Sequence, residues 1–149
     1  MNNLTGAETQ SYLEGLVYAK TQVGARWVDL TVFEIHHFKS RGSLDFGGSE
    51  YRPAETATLT PHKLKDEDKY GWWELSEGTY LIKYNEKLVE FSDDELAEVL
   101  PHPRLLAAGG SHPAAYFSRG ETLLTVLSVP PEGLALKQNC RVSRLRISR

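Results

Sequence analysis

Three stretches of the chain concentrate side chains able to do chemistry. His102 and His112 flank PRLLAAGGS, and with Ser111 they form a set suited to passing protons, because imidazole titrates near neutral pH and a hydroxyl can partner it. The competing reading is that both histidines only structure the loop. The last nine residues, RVSRLRISR, carry Arg141, Arg144, Arg146 and Arg149, a cationic run that suits an anion and equally suits a solvated strand face or tail. His36 and His37 lie in a segment of strand composition and so point to opposite faces; at most one can join Glu34 or His62 around a metal. We assign no metal site. The chain contains no G-x-S-x-G elbow, no G-x-x-x-x-G-K-[ST] loop and no G-x-G-x-x-G fingerprint, which removes the commonest hydrolase, triphosphatase and dinucleotide readings.

Elements to hold these groups must come from 149 residues, 40% hydrophobic and 25% charged, a length suited to one domain spanning 1–149. A formal net charge of -3 argues against nucleic acid as a partner, since such binders show a basic excess. Cys140 is the single cysteine, which leaves no disulfide framework and fits a reducing compartment, so we expect a cytoplasmic protein. No stretch has the apolar length a membrane helix needs, and no membrane partner is expected.

The spacing of Thr5 and Glu8 matches a capping box, and Leu13, Leu16 and Val17 follow at helical spacing, which predicts an N-terminal helix over 5–22 that Gly24 ends. β-Branched and aromatic residues dominate 27–38 and predict a long strand. Glycines and prolines between 39 and 68 predict hairpins and loops. Tyr80, Ile82 and Tyr84 share one strand face. Of the adjacent Trp72 and Trp73, one should face the core and the other solvent or a neighbouring subunit. Ser92 and Glu95 repeat the capping spacing and predict a short second helix that Pro101 and Pro103 end. Strands are expected over 121–129 and within 134–147, giving a mainly β fold with a core over 26–147.

Several segments agree at once with a known pattern. In order they are LSEGTYLIKYNE, PHPRLLAAGG, YFSRGETLLTVLSV and PPEGLALKQNCRVSRLRI, with WVDLTV upstream. Together they resemble the dUTPase and dCTP deaminase superfamily, and most closely its archaeal-type dUTPase branch. That family has an L-x-P-G-x-Y-x-I-x-Y-N-E strand, an R-x-S-L-L-R-x-G loop, a hairpin with an acid before G-[YF]-x-G, and a last strand ending like R-I-x-Q-L. The resemblance implies a distorted jelly-roll, or β-clip, that assembles as a homotrimer with nucleotide sites between subunits. It also implies cleavage of dUTP to dUMP and pyrophosphate with magnesium, or deamination of dCTP.

Carried over residue by residue, His102 takes the place of the loop arginine and Arg104 that of its serine, while Arg144 replaces the last strand's glutamine. Asp29 and Leu30 take the places of the first motif's D-L pair. The hairpin departs most, because it is shorter than the family's and Ser118 stands where the acid is expected. A hydroxyl cannot serve as a general base near neutral pH. Glu121 is the candidate catalytic carboxylate, and Arg104, Ser111, His112, Arg119 and Arg144 are the candidate ligand-binding residues. The expectation is a divergent superfamily member that binds a phosphate or deoxynucleotide with degraded catalytic motifs. The alternatives are an active dUTP nucleotidohydrolase using magnesium and a non-catalytic oligomeric protein-interaction scaffold.

Overall fold

Long runs of β-branched and aromatic residues need partners on both edges, and antiparallel pairing supplies them throughout this chain. A computed structural model describes residues 2–89 and 92–149. Its helices are α1 (Gly6–Gln10), α2 (Ala19–Gln22) and α3 (Pro103–Ala107). The strands run β1 (Leu13–Glu14), β2 (Val28–Phe38), β3 (Thr56–Thr58), β4 (Trp72–Leu75), β5 (Gly78–Tyr84) and β6 (Lys87–Leu88). They continue with β7 (Leu96–Pro101), β8 (Ala115–Phe117), β9 (Leu124–Val129), β10 (Leu134–Lys137) and β11 (Arg141–Ser148).

Six strands form one sheet in the order β8-β7-β11-β2-β5-β9, with β3 added to the far end of β2. Ser111 and Ser128 exchange backbone hydrogen bonds at 3.2 and 2.7 Å, so the chain just before β8 touches β9 and the sheet's two edges nearly meet. The result is the mainly β, barrel-like architecture expected. Its interior holds Val28, Leu30, Val32, Ile35, Ile82, Leu127, Leu145 and Ile147, all fully buried. The predicted inward face of β5, Tyr80, Ile82 and Tyr84, is buried. Trp73 is buried and donates its indole N–H to the Leu59 carbonyl at 3.1 Å, whereas Trp72 is only half-buried.

Two helix expectations are corrected. The segment 5–22 is not one helix. The Thr5–Glu8 capping box forms as expected, but α1 stops after Gln10, and Leu13–Glu14 pairs instead with Lys87–Leu88. Gly15 then adopts a φ of 87°, and a Cβ there would stand 2.5 Å from the Asn85 carbonyl oxygen. A close approach in a left-handed conformation suits glycine and ends any helix. The second helix is also misplaced. Ser92 N donates to the Glu95 carboxylate at 2.9 Å and Glu95 N donates back to the Ser92 carbonyl at 3.1 Å, closing a turn, and the following residues become β7. Ala97 and Val99 alternate inward there, and β11 needs this strand on its outer edge. The helix begins later, at α3, where Pro103 starts the element it was expected to keep closed. No helix among the described residues is long and apolar enough to cross a membrane.

Candidate functional site

A buried carboxylate organises the cations. Asp29 sits near the start of β2 beside β11, and its side chain is only 6% exposed. Its Oδ2 lies 3.0 Å from Arg141 Nη1 and 3.4 Å from His102 Nε2, and its Oδ1 lies 3.4 Å from Arg144 Nε. The Arg144 guanidinium is also stacked 4.2 Å from the centroid of the Trp27 ring, a contact that holds its plane. His102 is the N-cap of α3: its Nδ1 accepts from the Arg104 N–H at 3.0 Å, so Nε2 carries the hydrogen turned toward Asp29. Burial, joined by Arg144, Arg141 and Arg104 and opposed by Asp29, holds this imidazole below the usual histidine range. The helix cap and the ion cluster therefore share one neutral histidine.

Beside this cluster lies a cavity of about 220 Å³ lined by Arg104, Lys137 and Arg141, with Trp72 and Cys140. Lys137 Nζ is 5.7 Å from the centroid of the Trp72 ring. Three cationic residues line one small space, and among the described residues only Arg141 of the three is ion-paired with a carboxylate, an arrangement suited to an anion. Cys140 contributes no thiolate, because burial pushes its thiol up to about 11.

The other expected site residues lie elsewhere. His112 is buried and its Nδ1 is 2.8 Å from the Pro113 carbonyl oxygen, which can only accept. Burial keeps the ring neutral, so Nε2 is an acceptor and takes the Ser143 hydroxyl hydrogen at 2.8 Å. Ser143 Oγ then accepts from the Tyr84 hydroxyl at 2.6 Å, and Tyr84 accepts from Thr125 Oγ1 at 2.7 Å. This serine and histidine are in proton-transfer geometry but have no access to solvent, which makes them internal scaffolding. Ser111 is exposed and holds the loop to β9 by its backbone.

Glu121 is exposed on the wall of a larger cavity of about 460 Å³, together with Phe33, Lys83, Lys87, Leu88 and Leu123. Glu86 lies against the same cavity yet is fully buried. Its Oε1 accepts from Thr31 N at 2.7 Å, and its Oε2 accepts from Thr31 Oγ1 at 2.6 Å and Gln22 Nε2 at 2.9 Å. Burial nevertheless pushes its carboxyl above the usual range. Arg119 lines a third space, with Tyr12 and Glu95. Thus Arg104 and Arg144 come together around Asp29 and His102, while Arg119, Glu121, Ser111 and His112 do not join them. Sequence reasoning missed Lys137, which carried no signal, and Glu86, which stood in the YNE segment already quoted. The donor set around the cations does not fit a protein-held magnesium ion, because its one carboxylate, Asp29, is committed to two guanidinium groups. Among the described residues no three histidine, cysteine or acidic side chains converge as a metal site.

No family model matches the chain. Among curated proteins it is 30% identical over 138 residues to a probable deoxyuridine 5'-triphosphate nucleotidohydrolase of Methanosarcina mazei, covering 89% of this chain and 75% of that protein. It is 29% identical over 142 residues to a protein of the same description from Methanosarcina acetivorans, covering 92% and 78%. Among solved structures, the 2'-deoxycytidine 5'-triphosphate deaminase of Agrobacterium tumefaciens superposes with a TM-score of 0.64 at 15% identity. That match takes in 97% of this chain and 46% of the deaminase, so the chain spans about half of that protein's length.

Proposed function

The chain belongs to the dUTPase and dCTP deaminase superfamily, and we propose that within it the protein binds a deoxynucleotide through its phosphates as a cytoplasmic homotrimer. The observation that carries this reading is the cavity walled by Arg104, Lys137 and Arg141. A phosphate chain needs fixed cations and donors to replace its water, and two guanidinium groups and an ammonium can supply them. The volume suits a phosphate group and leaves the nucleoside outside. Asp29 acts as a positioning residue, because it pins Arg141 and Arg144 while leaving Arg104 and Lys137 to face the ligand.

Binding without hydrolysis is favoured because Asp29, the carboxylate beside these cations, is buried against Arg141, Arg144 and His102 and does not line the cavity where an attacking water would stand. Hydrolysis is the second reading. It is favoured by the names of the curated relatives and by Glu121, an exposed carboxylate on the wall of the 460 Å³ cavity. Titration calorimetry with dUTP, dCTP and inorganic phosphate tests the first reading. Arg104→Ala and Arg141→Ala should each weaken binding by about ten- to a hundredfold, the loss of one charged hydrogen bond. Absence of binding at millimolar nucleotide overturns it. Release of pyrophosphate from dUTP with magnesium, abolished by Glu121→Gln, would establish the second reading in its place.

A further inference from the structure

A second set of reactive groups lies on the outer face of the sheet, away from the cations. Antiparallel pairing sets His36 of β2 directly opposite Thr58 of β3. The backbone bonds on either side run from Leu59 N to the Ile35 carbonyl at 2.9 Å and from Lys39 N to the Glu55 carbonyl at 2.7 Å. They make His36 and Thr58 a non-hydrogen-bonded pair, the type in which facing side chains approach most closely. A bulge between Val32 and Glu34 turns both Phe33 and Glu34 away from the core, while Val32 and Ile35 stay fully buried. Glu34 and His36 therefore share the outer face.

Hydrogen bonding fixes where the protons of this set reside. Glu34 Oε2 lies 2.7 Å from His36 Nε2, and Thr58 Oγ1 lies 3.3 Å from His36 Nδ1. A carboxylate can only accept, so Nε2 carries the ring hydrogen; in the neutral ring Nδ1 is bare, and the Thr58 hydroxyl is the donor. Hydroxyl, imidazole and carboxylate thus stand in the order nucleophile, base and orienting group, the roles by which such triads are recognised on unrelated folds. The hydroxyl bond is long, as catalytic hydrogen bonds often are before substrate binds. His36 is 7% exposed, whereas Thr58 is open to solvent. A sheltered base behind an accessible hydroxyl is what a nucleophile needs.

Strand geometry adds an oxyanion donor. In the antiparallel alternation the Thr58 N–H points away from β2, toward the edge of β3 that no other strand covers among the described residues, and no acceptor meets it there. An oxygen bearing negative charge on an adduct of Thr58 can take that hydrogen bond. Phe38, two residues along the same face from His36 and 40% exposed, offers an apolar surface beside Thr58. A single donor at an open edge suits an ester with a good leaving group rather than an amide.

We propose that Thr58, His36 and Glu34 form an esterase site for small, activated carboxylic esters. Thr58 Oγ1 bonds to the acyl carbon as its hydrogen passes to His36 Nδ1. The bond from that carbon to the leaving oxygen breaks, and the leaving oxygen takes the hydrogen from Nδ1. Water then attacks the acyl carbon and gives a hydrogen to Nδ1, which returns it to Thr58 Oγ1 as the carboxylic acid departs. Thr58 and His36 are the catalytic residues. Glu34 is a positioning residue that orients the ring and offsets its charge between the transfers. None of the three lines the cavity between Arg104, Lys137 and Arg141, so the site is independent of the nucleotide reading.

Hydrolysis of p-nitrophenyl acetate by the full chain, together with labelling by a fluorophosphonate, tests this. Peptide mapping should find the phosphorus on Thr58, with fluoride released. Thr58→Val changes an exposed side chain at nearly constant volume, so a thermal melt should report an intact fold. It should abolish the label and lower kcat/KM at least about a hundredfold, whereas Thr58→Ser should retain both. Glu34→Gln should lower kcat with KM unchanged, a split that a merely structural role would not produce. A Thr58→Val loss under about tenfold, or a label on any other residue, overturns the site, because the hydroxyl then takes no part in the reaction. Hydrolysis no faster than that given by free imidazole at equal concentration overturns it as well.

Discussion

Ser143→Ala removes the residue on which the internal hydrogen-bond chain turns. Ser143 is fully buried, donates to His112 Nε2 at 2.8 Å and accepts from Tyr84 at 2.6 Å. Without it, Tyr84 and Thr125 keep only the 2.7 Å bond they already share, and one of their two hydroxyl hydrogens loses its acceptor. At His112, Nδ1 stays committed to the Pro113 carbonyl and Nε2 is left as a buried acceptor with no donor. Two lost hydrogen bonds at about 0.5 to 1.5 kcal/mol each, with an orphan that costs about 1 to 3 kcal/mol, sum to about 4 kcal/mol. For a chain of this length that is a fall in Tm of roughly 8 to 16 °C. Urea unfolding followed by tryptophan fluorescence at fixed protein concentration measures it directly. Thr125→Val removes only the donor at the far end of the chain and leaves the Tyr84–Ser143–His112 bonds in place, so it should cost about 1 kcal/mol. A Ser143→Ala loss under about 0.5 kcal/mol, or a larger loss from Thr125→Val, would refute the assigned direction of the chain.

The same histidines set an acid limit. His102 and His112 are both held below the ordinary value of 6.5, chiefly by burial, so the unfolded chain takes up protons that the folded chain refuses. Stability should be full above pH 6.5 and fall as pH drops below it, by up to about 1.4 kcal/mol per pH unit for each histidine. Glu86, held above its usual 4.5, works the other way over the acid end of this range and blunts the fall. Urea midpoints between about pH 7 and 5.5 test this, and loss of the fall toward acid in the His112→Gln, His102→Asn double variant, leaving only the opposite slope from Glu86, assigns it. Asp29→Asn should lower stability by about 2 to 3 kcal/mol, less than for a fully buried pair because the guanidinium groups remain about a quarter exposed. Because Asp29 positions Arg141, millimolar phosphate should raise the Tm of the variant less than that of wild type in a thermal melt. Equal gains in both would contradict the positioning role.

The strands were legible because their signal is local. Period-two alternation at Tyr80, Ile82 and Tyr84, and the β-branched run of β2, do not depend on distant partners. The helices failed where local and long-range terms compete. Thr5 and Glu8 wrote a true cap, but nothing in the next residues announces that Leu13–Glu14 will pair with a strand more than seventy residues away. Ser92 and Glu95 carry the same spacing with a different outcome, since the Ser92 hydroxyl donates to the carboxylates of Asp94 and Glu95, which share its one hydrogen, instead of accepting from a helix N–H. Spacing alone cannot tell these apart.

The candidate site divides along the same line. Arg104 and Arg144 could be named from motif positions, but their union depends on Asp29, which reaches across from β2 to β11, and on His102 serving as both cap and ion-pair partner. A histidine at an N-cap is useful only while Nδ1 is free to accept, so His102 ties the start of α3 to a neutral ring. Arg104 follows two residues later and takes its position from that cap. The placement of that cation therefore depends on the protonation of its neighbour. Phosphate affinity below pH 6 should then reflect two opposed effects, a more cationic His102 and a loosened Arg104, and His102→Asn, which keeps the cap without the titration, separates them.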